Sequence, residues 1–506
     1  MNPVIIIPTY VCNSAMPRGA GVTDTYDHMN PVARDGELVR CLSSLRDAKV
    51  DVPIAILVIA EKGAEQAAED KVRDQAAHYP ELTISVVAHT EEQGLHERMK
   101  NLGLGELVDG IALSGYGASK NLGLAYAASM GYTEAIFLDD DEIVEDSDFM
   151  EKACYGLGML TQRGVPILIK TGFYIDKSGS YKSNARSNWY DRFWQQHRGF
   201  DRWIEHAMHG PRLSSSNTAY AGLMAIHREA YRRVSFDPWI ARGEDLDFLF
   251  NVRMYGSEVW FDNMWVVRHL PPAVSKVEAK RFAQDIYRWF YEKRKLEFSS
   301  TQIDLLQIQY RSLAPYPGPF LESSIGFNTL MTALLRSIGR TGQRKGYFDA
   351  AMKARRGAKA YARDNCSNYF GFQRMWPEAI AMLEEDVQLK GIFDNAAVVP
   401  MDEAQLEELD ARRAEQSVMQ ALQAEQAEQQ AAEQAEQQAA EPSEQDAENG
   451  ENVLAGVEMA PNSAETLSNG GENPLNGKKA IKSSFGEVLR GYTERKLSDA
   501  EQSSDE

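Results

Sequence analysis

The sequence predicts an α/β protein with a mostly parallel, Rossmann-like central sheet, followed by a helical region and a disordered acidic tail. Three observations carry this reading. Over residues 1–272, short apolar β-branched runs alternate with helical segments, which is the grammar of βαβ units. From 273 to 400 the apolar period becomes helical. Beyond residue 400 apolar content falls and acidic residues accumulate, so that stretch lacks the means to offset its own ordering entropy.

The elements follow in order. VIIIPTY, Val4 to Tyr10, reads as the first strand and LVRCLSSL, 38–45, as the first helix. The long Gly/Pro/Asp-containing insertion between them is either a lid over the sheet edge or a disordered loop. IAILVIA (54–60) and LTISVVA (82–88) are strands separated by an Ala/Gln/Glu-rich helix over 64–79. GASKNLGLAYAASMGY (117–132) is an Ala-rich helix, with Gly123 placed where another backbone or side chain comes close. PILIKTGFYI (166–175) is a strand ending in a DKSG turn. The aromatic stretch after it, including Trp189, Tyr190, Phe193, Trp194, Phe200 and Trp203, serves either a sugar-stacking surface or the core. KVEAKRFAQDIYRWFYEKRKLEF is an amphipathic helix burying Phe282, Ile286, Trp289 and Phe290. SSIGFNTLMTALLRSIG, from Ser323, is interrupted by Asn328, two Thr and Arg336, so it reads as a packed or interfacial helix rather than a membrane span. Residues 401–441 form an Ala/Glu/Gln-rich helical low-complexity segment whose eight-residue repeat does not sustain a heptad seam. Residues 442–506 are read as disordered, with a docking helix at 483–496 whose Phe485, Val488, Leu489 and Tyr492 share one face.

Charge is uneven. Residues 401–506 carry 24 Asp and Glu against 8 Lys and Arg, leaving 50 against 46 in the first 400, so most of the net charge of −20 belongs to the tail. Such a balance argues against nonspecific nucleic-acid binding. Residues 336–363 run the other way, with nine Lys and Arg and one acid, Asp349. Four cysteines, at 12, 41, 154 and 366, form no framework or metal spacing, and no secretory signal is apparent at the chain start. A cytoplasmic protein is expected, with a peripheral membrane contact through the basic segment as a further expectation.

The chemistry concentrates in FLDDDE, 137–142. Ile136, Phe137 and Leu138 belong inside a sheet, while Asp139, Asp140 and Asp141 emerge at its carboxyl edge, where open α/β sheets bind ligands. Three adjacent carboxylates call for a cation. Mn²⁺ or Mg²⁺ takes oxygen ligands and shares one or two carboxylates with substrate phosphates, which a sugar nucleotide supplies.

VIIIPTY, LVRCLSSL, SKNLGLA, FLDDD, AGLMAIHREAY, the GED at 243–245 and the late VVRH ending at His269 occur in that order over residues 1–272. The series resembles the GT-A glycosyltransferases, especially the family-2-like inverting enzymes that use nucleotide sugars. That resemblance implies a GT-A domain transferring a hexosyl-type group to an acceptor hydroxyl, the acceptor being a glycan, a lipid-linked sugar or a protein. It makes Asp141 the metal ligand, with Asp139 assisting through the metal or the ribose, Asp140 at the ribose, and His269 completing the coordination. Asp245 becomes the general base and Glu244 a positioning acid, although acids are equally at home at a helix start. Asp247 and Arg253 are assigned structural work. Pro8, Thr9, Tyr10, Glu61, Lys120 and Asn121 are expected around the nucleotide. Glu61 stands where such enzymes often carry Asp, so uracil is only the default base; Lys120 stands where Arg is common.

Two other enzyme readings share parts of this pattern. A retaining glycosyltransferase also has an acidic motif and a late His. A sugar-nucleotide nucleotidyltransferase would need a Gly-rich basic loop right after the first strand, and RGAG at 18–21 lacks that spacing. The non-enzyme alternative is a scaffold acting through its helical tail and a protein partner.

Overall fold

The computed structural model describes residues 1–13, 30–183, 188–271, 278–322, 324–399, 401 and 404–405. Ten strands make one sheet: β1 (Pro3–Cys12), β2 (Asn30–Pro31), β3 (Ile54–Ala60), β4 (Ile84–Val87), β5 (Glu134–Leu138), β6 (Glu142–Ile143), β7 (Ile169–Ile175), β8 (Leu213–Ser215), β9 (Leu223–His227) and β10 (Val259–His269). The order is β4-β3-β1-β5-β9-β7-β10-β6, with β2 beside β1 and β8 beside β10. The α/β class expected from the sequence therefore holds. β4-β3-β1-β5 are parallel, as are β7 and β10, while β9 is inserted antiparallel to both β5 and β7.

α1 (Leu38–Asp47), α2 (Glu65–Ala77) and α4 (Tyr116–Ser129) each return the chain to a parallel strand, and α3 (His89–Asn101) precedes α4 on the way to β5. Because side chains alternate across a strand, Ile5, Ile7, Ile56 and Leu138 enter the core on one face, and Val4, Ile6, Leu57 and Phe137 the core on the other. At Gly123 in α4 a Cβ would come within 3.0–3.3 Å of Ile6, Phe137 and Leu57, so the small residue lets the helix sit close to the sheet. After β4 the chain crosses back over β1 to form β5. The strand order reverses there, and the carboxyl ends of β1 and β5 flank the resulting crevice.

The remaining helices are α5 (Phe149–Cys154), α6 (Gln196–Met208), α7 (Arg228–Tyr231), α8 (Glu244–Met254), α9 (Glu278–Ser299), α10 (Gly318–Leu321), α11 (Ile325–Gly339), α12 (Arg344–Asp349), α13 (Arg355–Asn365), α14 (Asn368–Glu385) and α15 (Val387–Asp394). Those after residue 272 do not form a body of their own. Trp376 of α14 donates to the Tyr231 carbonyl at 2.7 Å, and Asp386 before α15 pairs with Arg98 of α3 at 2.7 Å. Past α15 the backbone runs beside β4, with Val86 N–H donating to the Ala396 carbonyl and Val398 N–H to that of Ile84, both at 2.8 Å. The expected boundary at residue 272 thus cuts through one compact unit, Met1–Glu425. A second unit comprises Gln426–Glu506 and lies outside the described residues, as do the docking helix at 483–496, nearly all of the repeat segment and residues 14–29 of the insertion.

Two expected strands are shorter than predicted: β4 covers only Ile84–Val87 of 82–88, and β7 begins only at Ile169, Pro166 having no N–H to give a ladder. Of the aromatic stretch, Trp194 and Trp203 belong to the core, while Trp189 is exposed.

Candidate active site

The crevice at the reversal is a cleft of about 310 Å³. Its floor is Pro8 and Tyr10 from the end of β1 and Ile59 from β3. Alternation turns Thr9 the other way: it is buried, and its hydroxyl donates to Asp140 Oδ2 at 2.5 Å. Thr9 therefore supports the acidic loop and does not line the cleft. Burial, aided by the neighbouring Cys12 and Glu61, pushes the Tyr10 phenol up to about 12, so it stays neutral.

Asp139, Asp140 and Asp141 line one wall with His269 and Tyr174. His269 Nε2 lies 3.1 Å from Asp141 Oδ2, and the Tyr174 ring stacks on the imidazole at 5.3 Å between centroids. Register explains the meeting: β10 pairs antiparallel with β6, His269 opposite Glu142, which brings the late His beside the aspartates. Asp139 lies 3.8 Å from the ammonium of buried Lys120, which also donates to the Ala221 carbonyl at 3.1 Å. Gly222 makes room for this arrangement, since a Cβ there would fall 2.4 Å from Asp139 Oδ2 and 2.5 Å from Glu142 Oε1.

The residues on this wall carry more negative charge than they balance. Burial and the charge of Asp141 push Asp140 up to about 7. Fully buried Glu142 is raised well above its ordinary range, first by burial and then by Asp139 and Asp141, and its Oε1 has no hydrogen-bond partner among the described residues. A divalent cation fits such a set. The expected trio of protein ligands is not assembled, however: among the described residues no three His, Cys, Asp or Glu side chains converge to hold a metal ion. Asp141 and His269 face each other while Asp139 pairs with Lys120, which leaves two protein ligands and requires the substrate's phosphates to supply others.

The facing wall comes from α8 and α9. Gly243 caps α8 at φ +77°, a backbone conformation glycine adopts readily, and a Cβ there would lie 2.2 Å from Arg288 Cζ. Glu244 and Asp245 begin the helix, where its N-terminal dipole favours acids. Glu244 is buried, and desolvation together with Asp245 pushes its carboxyl up to about 7. Asp245 is more accessible and lies 3.7 Å from Arg288, which in turn holds buried Glu292 at 3.0 Å. Asp247 and Arg253 make contacts within the fold: Asp247 receives Lys295 of α9 at 2.7 Å, and Arg253 donates to the Ser216 carbonyl at 2.8 Å.

Three residues expected around the nucleotide do not line the cleft. Asn121 is buried and its amide is committed to structure, donating to the Gly110 and Phe236 carbonyls and accepting from Phe236 N–H at 2.8–3.0 Å. Thr9 acts behind Asp140, as above. Glu61 follows β3 but is not among the cleft's lining residues; its carboxylate accepts Asn13 N–H at 2.8 Å. Sequence reasoning missed Arg242, Arg281 and Arg288, all of which line the cleft. The seven-residue spacing of Arg281 and Arg288 on an amphipathic helix was a legible sign of a shared face.

Asn30 was also missed. It is 6% exposed and lines the cleft. Lys71 donates to its Oδ1 at 2.5 Å, and because an ammonium only donates, the amide orientation is fixed. Asn30 Nδ2 has no hydrogen-bond partner among the described residues. Gly36, at φ +71°, leaves space for this amide, since a Cβ would overlap Asn30 at 2.1 Å.

No family model and no curated protein matches the chain. Solved structures with partial likeness include a mannosyltransferase from Pyrobaculum calidifontis in complex with GDP-mannose and Mn²⁺, at 12% identity and a TM-score of 0.39, covering 76% of this chain and 84% of that one. GalNAc-T7 with UDP, GalNAc and Mn²⁺ matches at 12% identity and a TM-score of 0.28, over 73% of this chain and 58% of that one. A mycobacterial protein matches at 15% identity and a TM-score of 0.28, over 56% and 74%. Likeness at this level assigns neither family nor activity.

Proposed function

We propose that the chain is a GT-A-type glycosyltransferase of the family-2-like kind, moving a sugar from a nucleoside diphosphate sugar to an acceptor hydroxyl with inversion. The observation that carries this reading is the opposition of two acidic sets across one cleft at the strand-order reversal. One holds Asp141 against His269 at 3.1 Å, and the other holds Asp245 beside Arg288 at 3.7 Å.

Asp141 and His269 would hold Mn²⁺ or Mg²⁺, which when bound neutralises charge on the diphosphate leaving group. Lys120, paired with Asp139, adds fixed positive charge on the same wall. Pro8, Tyr10 and Ile59 offer the apolar floor for a base, and Asn30 offers a donor to a base, ribose or phosphate oxygen. The acceptor oxygen attacks the anomeric carbon as the bond to the diphosphate breaks, and its proton passes to Asp245. Arg288, 3.7 Å from Asp245, helps hold that carboxylate in place to receive the proton. Glu244, buried beside it, positions the end of α8.

The test is turnover with a panel of nucleotide sugars and Mn²⁺, followed by NMR of the product. Release of nucleoside diphosphate with inverted anomeric configuration is expected. Pyrophosphate release would instead mark nucleotidyl transfer, and a retained configuration would remove Asp245 from the role of base.

A further inference from the structure

Helix α11 places its polarity the opposite way from an ordinary surface helix. The face packed on the protein carries Thr329, Thr332 and Ser337 along with Ile325 and Ala333. Thr332 is fully buried, and its hydroxyl has no hydrogen-bond partner among the described residues. The outer face carries Phe327 and Ile338, 56% and 58% exposed, with half-buried Met331 between them at helical spacing. A helix serving only to cover a core shows the reverse order.

The stripe continues beyond the helix. The Phe193 ring meets Phe327 edge-on at 5.5 Å, and exposed Trp189 packs on Tyr190, whose ring lies against Gly339 at the far end of α11. The Arg192 guanidinium sits 4.7 Å over the Phe193 ring. Along the helical turns that follow α11 in the chain, Arg344, Lys345, Lys353 and Arg356 are exposed, Lys353 pairing with Asp349 at 3.1 Å. This positive charge stands out in a chain of net charge −20.

We propose that this face docks on an anionic lipid bilayer, with α11 lying in the interface. Apolar side chains on one surface, with exposed basic groups on the turns that follow, are what a headgroup boundary with acidic lipids recognises. No described helix is long and apolar enough to cross a membrane, so the contact is with the surface. A second copy of the chain would equally bury the stripe, but the basic residues would then face one another at a cost; the charge pattern favours lipid.

The experiment uses the full chain in co-sedimentation with vesicles of phosphatidylcholine alone and of phosphatidylcholine with phosphatidylserine, at low and high salt. Retention on the phosphatidylserine vesicles, weakening as salt screens the charges, is expected. The Phe327→Asp/Ile338→Asp variant should bind at least about tenfold more weakly, since both apolar anchors are lost. Lys345→Glu/Lys353→Glu, which touches no apolar residue, should lose the preference for the anionic vesicles and decides the matter if the first variant does not fold. Equal binding to the two vesicle types, or wild-type binding by a folded Phe327→Asp/Ile338→Asp variant, would overturn the proposal. So would a dimer in analytical ultracentrifugation that this variant abolishes while the parent chain binds no vesicle.

Discussion

The strand-edge wall of the cleft and the helical wall opposite are both acidic, yet they manage charge differently. Asp139, Asp140, Asp141 and Glu142 are contiguous, and they crowd one another with Lys120 as their nearby cation. Asp245, by contrast, sits beside Arg288, which carries its own partner in Glu292. The first wall is short of positive charge and the second supplies it internally. Under the proposed function, that difference suits a first wall that works with a bound ion and a second that takes a proton from the acceptor.

Removing Asp141 should break the comparison most completely. Asp141→Ala deletes a ligand without opening an apolar cavity, so turnover is expected to vanish while the melting temperature holds; metal-dependent turnover at the parent rate would show that the acidic wall holds no ion. On the helical wall, Asp245→Asn is expected to lower kcat by about a hundredfold or more, the contribution of a general base, with donor affinity nearly unchanged. Matched loss of donor affinity would move Asp245 to the binding side.

Arg288 separates structure from chemistry. Arg288→Ala leaves fully buried Glu292 without its cation, a change expected to cost about 3 kcal/mol or more in stability, read by urea denaturation. Adding Glu292→Gln should recover most of the stability but not the activity, because Asp245 still lacks its partner. Full recovery of both would make Arg288 purely structural.

Smaller effects sharpen the picture. Asn30→Asp keeps the Lys71 contact and loses the unpartnered amide donor, so under the proposed function calorimetry should show nucleoside diphosphate binding weakened about tenfold, as for one net hydrogen bond. Unchanged affinity would leave Asn30 as a loop support. Glu244 provides the pH test. Its folded-state carboxyl is raised from 4.5 to about 7, so ionisation destabilises the fold as pH climbs through that window. Glu244→Gln should therefore match the parent's stability below the window and exceed it above about pH 7, measured by thermal melts; a gain independent of pH would contradict the burial argument.

How much of this was legible in the sequence depends on distance along the chain. Asp139 to Asp141 could be placed because a strand of period two and a sheet edge determine where the chain emerges, and β3 was bounded at Ile54 and Ala60 by its composition alone. A motif position does not say which way a side chain turns, and Asn121 and Thr9 both turn into the protein. Arg288 and Asn30 were missed because their roles exist only after α9 and the later part of the insertion come to rest on the cleft. At residue 272 the apolar period turns helical while one compact unit continues across it.

The central claim is that the acidic wall binds a nucleoside diphosphate through a divalent ion held by Asp141 and His269. Isothermal titration of the intact chain with UDP and GDP, each with and without Mn²⁺, tests it most directly when repeated on Asp141→Ala. The account expects binding of at least one nucleotide that requires Mn²⁺ and disappears in the folded variant. Binding that is indifferent to Mn²⁺, or that survives Asp141→Ala unchanged, would contradict it.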